Sequence, residues 1–108
     1  MGIFDALRQK KPRRGISRAV ATEMAEAWSG GDGIDMEHAV VIHARNWRKG
    51  LADQYAYISG LHGLRSRDWY IESQEILHAG DRSYEIFVIR TSDGARLRYY
   101  FDVTSFRR

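Results

Sequence analysis

Hydrophobic and polar residues alternate with a period of two through much of the second half of the chain, which is the pattern of β-strands. The clearest run covers residues 97–104, whose apolar positions are Leu97, Tyr99, Phe101 and Val103. Similar runs occupy 69–77 and 84–90. Asp93-Gly94, between the runs 84–90 and 97–104, is a strong hairpin signal. These runs predict an antiparallel meander of three strands.

Two details of the meander follow from the same pattern. Ile71 and Ile76 fall on opposite faces if alternation is strict, so we expect a β-bulge within 69–77. Residues 84–90 are apolar on both faces, which is typical of a strand in the interior of a sheet.

The first half of the chain has apolar residues at helical spacing instead. Residues 18–28 carry such a stripe up to Trp28, with Ser17 as N-cap, so we predict a helix there that ends before Gly30-Gly31. Residues 47–62 carry a second stripe, with Asn46 as N-cap and Gly63 as C-cap, and predict a second helix. The apolar run at 39–44 between them reads as a short strand.

The predicted element order is α-β-α-β-β-β, which indicates the α+β class with the meander packed on one helix. The 108 residues suit a single small domain, and we assign residues 17–108 to it and residues 1–16 to an N-terminal tail. At the level of element order, this plan is similar to cystatin-like and cone-shaped α+β folds.

Composition excludes several function classes. The chain has no cysteine, so disulfide frameworks and cysteine zinc sites are ruled out. No apolar run approaches the length of a membrane span, and charges interrupt the N-terminus where a signal peptide would be apolar. We therefore expect a cytoplasmic protein.

Basic charge is concentrated at the N-terminus, although the whole chain has a formal net charge of only +3. The tail joins an apolar helical turn to a cluster of cations, and its candidate partner-binding residues are Ile3, Phe4, Leu7, Lys10, Lys11, Arg13 and Arg14. Such a segment favours weak contact with an anionic membrane surface, with nucleic acid or with a protein.

The histidines and acidic residues give no catalytic or metal-binding pattern. The four histidines lack the i, i+4 or i, i+2 spacing of common metal sites, and no nucleophile-elbow motif is present. We expect no metal and no cofactor.

A cationic patch with an aromatic residue is predicted on one face of the last strand. Arg96, Arg98 and Tyr100 share that face, Arg90 could join them from the neighbouring strand, and Glu85 is the acid expected to lie across from them. Arginine beside an aromatic residue on a sheet is one way of binding single-stranded nucleic acid, but the domain outside the two termini is net acidic, which argues against this binding.

An alternative site is a pocket between the helix over 47–62 and the sheet. Its expected lining residues are Tyr55, His62, Trp69 and Tyr99. Such a pocket would suit a small-ligand-binding or enzymatic domain.

Three short motifs resemble a group of short bacterial proteins. They are the Gly31-Asp32-Gly33 loop, the Ala39-Val40-Val41-Ile42 strand and the closing segment 100–104, Tyr-Phe-Asp-Val-Thr. The resemblance implies no activity and no catalytic residue. Because the aromatic residues exceed what one small core must bury, the main hypothesis is a non-enzymatic module that binds a protein partner or a second copy of itself.

Overall fold

A mixed five-stranded sheet and one helix make up residues 27–107, the part of the chain that the computed structural model describes. In chain order the elements are β1 (Trp28–Gly30), β2 (Val40–Ile42), α1 (Trp47–His62), β3 (Trp69–Ala79), β4 (Arg82–Thr91) and β5 (Arg96–Asp102). The strands lie in the order β1-β2-β5-β4-β3, and β3, β4 and β5 form an antiparallel meander. The α+β class and the meander are thereby confirmed.

Helix α1 has the bounds and both caps that the sequence predicts. The Asn46 side-chain oxygen accepts a hydrogen bond from the Lys49 backbone N–H at 3.0 Å, which satisfies one of the free donors of the first turn. At the other end Gly63 takes a positive φ of 104° and its N–H donates to the Ser59 carbonyl. Among the described residues, no helix is long and apolar enough to cross a bilayer.

The core lies between α1 and one face of the sheet. Tyr57 and Ile58 of the helix pack against Phe87 of β4 and Phe101 of β5, and all four side chains are buried. Strand β4 is paired on both sides and buried on both faces, as its apolar pattern predicts. The opposite face of the sheet is called the open face below.

The predicted bulge is present between Ile71 and Ser73 of β3. Beyond it β3 and β4 continue as a hairpin that is closed by the pair Ala79–Arg82. The loop of this hairpin is Gly80-Asp81, with Gly80 at a φ of 64°, a conformation that glycine adopts without strain.

The prediction of a helix over 18–28 is wrong at its last residue. Trp28 begins β1 and pairs in register with Ile42, while its ring packs edge-on against Tyr57 at 5.4 Å. Both a helix and a strand can bury this tryptophan, and here the strand also satisfies the backbone groups at the edge of β2. The predicted residues 18–26 lie outside the described part of the chain.

The structure also contains a parallel pair that the sequence did not predict. Val40 and Val41 of β2 pair with Phe101 and Asp102 of β5, so the sheet is mixed. The connection between the two strands contains α1 and the whole β3–β4 hairpin, and hydrophobic periodicity carries no information on a pairing of that range.

Candidate functional site

The outer edge of β3 is a boundary of the sheet, and half of its backbone groups point away from β4. The Ser83 carbonyl accepts a hydrogen bond from the Val103 N–H, on the β5 side of β4. Because the direction of the backbone N–H and C=O groups alternates along a strand, those of the even-numbered residues of β4 point toward β3. The backbone groups of their partners Ser73, Glu75 and Leu77 therefore point toward β4. The N–H and C=O groups of Gln74, Ile76 and His78 then point outward.

The N-terminal part of β3 gives an independent check of this alternation. Before the bulge the residue that faces β4 is Tyr70, which pairs with Arg90, so Trp69 should face outward. The Trp69 carbonyl indeed accepts a hydrogen bond from the Ser66 N–H at 2.6 Å, on the outer side. The bulge reverses which residues face outward, as an extra residue in one strand must.

The outer edge from 73 to 79 is exposed along its whole length, and we call it the free edge. Ile76 is 38% exposed on the helix side of the sheet and Leu77 is 40% exposed on the open face. Strand β3 contains neither lysine nor proline, the residues that most often protect an edge from pairing. Within residues 27–107 no other strand pairs with the free edge, so it can act as a template for a further strand.

A cleft of about 530 Å³ lies at the start of the free edge, beside the bulge. Its walls come from α1, from the loop after α1 and from β3, and its lining residues are Tyr55, Arg65, Ser66, Tyr70, Ile71, Glu72, Ser73 and Gln74. The ring of Tyr70 is half exposed. The cleft is thus a recess that is continuous with the strand edge.

The loop between α1 and β3 is built rigidly, and it fixes the position of Arg65. The Asp68 carboxylate accepts from the Leu64 N–H at 2.7 Å, and the Trp69 indole N–H donates to the Gly63 carbonyl at 2.9 Å. Ser66 has a φ of 69°, which is uncommon for a residue with a side chain. Such a conformation persists only where surrounding contacts hold it.

Arg65 brings a positive charge into the cleft. Its guanidinium lies over the Tyr55 ring at 4.3 Å from the centroid, a cation–π arrangement. Within residues 27–107 Arg65 makes no ion pair, whereas Arg67 next to it is bound to Asp68. The cleft therefore has a cation that is held on an aromatic ring and that has no acidic partner among the described residues.

The four residues predicted to line a pocket do not come together at one cavity. Tyr55 lines the cleft, while Trp69 and Tyr99 are buried in the core. His62 Nε2 and Tyr99 Oη share a hydrogen bond of 2.6 Å at the C-terminal end of α1, and their two rings pack edge-on against each other. We call this pair the polar seam, because it joins the end of the helix to the sheet through a polar contact rather than an apolar one.

Burial controls the acid–base properties of the polar seam and of the tyrosine beside it. It lowers the pKa of His62, although the negative charge of Asp93 works in the opposite direction. Burial also raises the pKa of Tyr99, and it raises the pKa of Tyr57 to about 12 with a smaller contribution from Asp32. Near neutral pH the imidazole and both phenols are therefore uncharged, and they hold the helix on the sheet.

The cationic patch predicted on β5 is neutralised in part, by a single carboxylate. Arg90 and Arg96 both donate to the Glu72 carboxylate, at 3.0 Å and 2.9 Å, and these contacts lower the pKa of Glu72 despite its partial desolvation. Arg98 and Tyr100 remain on the open face without an acidic partner among the described residues.

The expectation that Glu85 lies across from these arginines is wrong. The register places Glu85 opposite Phe101, on the helix side, where Glu85 is buried and accepts from the Gln54 amide at 3.0 Å. Face assignment depends on register, and one residue of shift exchanges the two faces of a strand.

Two further predictions from the sequence concern the N-terminal tail and metal binding. The tail residues, from Ile3 to Arg14, are outside the described part of the chain. Within residues 27–107, no three His, Asp or Glu side chains come together as a metal ion would require.

Sequence reasoning missed the two features that define the site. Arg65 lies in a loop with no motif, and only the Gly63 cap marked that a turn was near. The exposure of Ile76 and Leu77 was hidden because adjacent apolar residues also suit an interior strand. The lack of lysine and proline in 69–79 was the available signal for an unprotected edge.

Comparison of the chain with protein-family models, with curated proteins and with solved structures finds no match. The site is accordingly interpreted from its own geometry.

Proposed function

We propose that this domain is a non-enzymatic protein-interaction module, and that it binds an extended segment of a partner along the free edge of β3. The observation that carries the proposal is the continuous exposure of residues 73–79, where Gln74, Ile76 and His78 direct their backbone groups outward. Addition of a strand to such an edge supplies main-chain hydrogen bonds for affinity, while neighbouring side chains and pockets supply specificity.

The side chains beside the edge suit this role. Ile76 and Leu77 project to opposite sides of the sheet, so a bound strand can bury apolar side chains against both. Each favourable cross-strand pair contributes roughly 0.2–1 kcal/mol, which makes a short added strand a weak to moderate ligand. The other sheet edge, β1, is only three residues long and offers far less backbone.

A second candidate is binding of a small anionic ligand in the cleft. The uncompensated Arg65 guanidinium on the Tyr55 ring favours it, since a cation without an acidic partner attracts a carboxylate or phosphate group. This candidate is the counterpart of the ligand-binding pocket that the sequence predicts beside α1. Arg65 lines the cleft, whereas His62 and Tyr99 of the polar seam do not.

Three expectations from the sequence remain predictions. They are a contribution of the basic tail to membrane or nucleic-acid contact, a cytoplasmic location, and the likeness of the element order to cystatin-like folds. The Glu72 carboxylate offsets one of the three positive charges of Arg90, Arg96 and Arg98, which weakens the case for nucleic-acid binding by the sheet.

Affinity capture from an extract of the native cells tests the proposal with the full chain and two variants. Ile76→Pro removes an outward N–H from the free edge, and Arg98→Ala is the matched control on the open face. We expect any protein captured in stoichiometric amount by the unmodified chain to be retained by Arg98→Ala and lost by Ile76→Pro. Capture that survives Ile76→Pro and is lost by Arg98→Ala would move the interface to the open face and overturn the proposal.

A further inference from the structure

We propose that the free edge of β3 pairs with the free edge of a second copy of this chain, antiparallel and about a two-fold axis at Ile76. This inference rests on the proposed function and names its partner. The two sheets would then join into one sheet of ten strands, twice the five strands of one chain, with both α1 helices on the same side.

Symmetry leaves few possible registers. In a continuous antiparallel sheet, the two-fold axis passes between two copies of the same residue, and every paired residue lies on the same face as its partner. The exposed edge from 73 to 79 allows the axis to lie at Glu75, Ile76 or Leu77 when most of the edge is to be paired.

An axis at Glu75 is disfavoured for two reasons. It would set two glutamates directly opposite each other, and like charges in that position are destabilising. It would also bring Asp81 of the second copy next to Trp69, where the outer edge is already occupied by the backbone pairing between Arg65 and Trp69. The loop after α1 therefore acts as a stop for the incoming hairpin.

An axis at Ile76 avoids both conflicts. Ile76 then faces its own copy, Glu75 faces Leu77, and Gln74 faces His78. Because the backbone groups of Ile76 point outward, the two copies of this residue would exchange both of their N–H···O=C bonds, as in a hydrogen-bonded antiparallel pair.

Charge complementarity selects Ile76 over Leu77 as the axis. With the axis at Ile76, the Gly80-Asp81 turn of one copy lies beside Ile71 and Glu72, at the mouth of the cleft that contains Arg65. Asp81 is exposed and has no ion pair within residues 27–107, and Arg65 has none either. The symmetry creates this Asp81–Arg65 contact twice. An axis at Leu77 would instead set Asp81 beside Ser73, two residues further along β3 from Trp69, the residue that pairs with Arg65.

Cysteine cross-linking of the full chain tests the register, because the chain has no cysteine of its own. Oxidised glutathione removes two electrons and two protons from a pair of thiols, so a disulfide reports which residues meet. Cα atoms of an antiparallel hydrogen-bonded pair lie about 5.5 Å apart, within disulfide range. We expect Ile76→Cys to form a covalent dimer fastest, Leu77→Cys more slowly, and Ala56→Cys on the exposed side of α1 not at all.

Charge reversal tests the predicted contact between the hairpin turn and the cleft. Arg65→Glu and Asp81→Arg should each raise the dissociation constant of the dimer about tenfold, measured by sedimentation equilibrium. The effect is that large because the symmetric dimer contains the Asp81–Arg65 ion pair twice. The double variant should restore most of the loss. Failure of the double variant to recover affinity would overturn the register.

The outcomes separate this inference from the proposed function. Faster cross-linking of Leu77→Cys than of Ile76→Cys would overturn the axis at Ile76. A chain that stays monomeric at every concentration, but loses a captured protein through Ile76→Pro, overturns self-pairing and leaves the interaction module standing. If Ile76→Pro changes neither dimer formation nor capture, both proposals are overturned.

Discussion

Two proline substitutions at adjacent residues of β3 should have very different effects on stability. Proline at Ile76 removes an N–H that points away from β4, so no hydrogen bond of the sheet is lost, and edge strands tolerate proline at such positions. The side chain is already 38% exposed, and we expect Ile76→Pro to lower the free energy of unfolding by about 1 kcal/mol through lost apolar burial.

Proline at Leu77 removes an N–H that points toward Tyr84 on β4. The substitution breaks the ladder, leaves a carbonyl without its donor and places the ring between two strands, which costs about 3 kcal/mol or more. The expected difference between the variants is therefore about 2 kcal/mol, or a separation of about 1–2 M in the urea midpoint.

Urea unfolding followed by tryptophan fluorescence measures this difference, because Trp69 is buried beside the hairpin. The parallel substitutions Ile76→Ala and Leu77→Ala correct for the loss of each side chain. Equal destabilisation by the two prolines, after this correction, would refute the assignment of outward and inward residues along β3.

Two further predictions concern the helix and the polar seam. A methyl group at Gly50 would overlap ring carbons of Phe106, so Gly50→Ala should destabilise the chain despite the gain in helix propensity. In a Phe106→Ala background the same substitution should stabilise the chain by about 1 kcal/mol. A double-mutant cycle in urea that gives the same sign in both backgrounds would contradict this packing. Burial lowers the pKa of His62 in the folded chain below its ordinary 6.5. Between the two pKa values the unfolded chain therefore binds more protons than the folded chain. The free energy of unfolding should fall as the pH drops below about 6.5, until the pKa of the folded chain is passed. His62→Gln should remove this component, and an unchanged difference between variant and unmodified chain from about pH 7 to about pH 5 would contradict it.

The sequence predicted those elements whose signals are local. Helix α1 is bounded by Asn46 and Gly63, and both caps act within a few residues of the helix end. The alternation in β5 and the bulge in β3 are likewise properties of a single strand. These features follow from side-chain periodicity and backbone chemistry, which the sequence displays directly.

The remaining features depend on contacts between distant segments. Trp28 fits a helical stripe as well as a strand, and only the edge of β2 decides between them. Glu85 was assigned to the wrong face of the sheet because the register of β4 against β5 was unknown. Arg65 was missed because the loop after α1 acquires its shape from contacts of Asp68 and Trp69. Tertiary pairing thus determined both the candidate site and the errors.

Amide hydrogen exchange along β3 tests the central claim most directly. We predict that the N–H groups of Gln74, Ile76 and His78 exchange rapidly in dilute protein, whereas those of Glu75 and Leu77 are protected by β4. The first three should become protected as the protein concentration rises, or when a captured partner is added. Rapid exchange of Ile76 at every concentration and with every captured partner would contradict the assignment of the free edge as a binding surface.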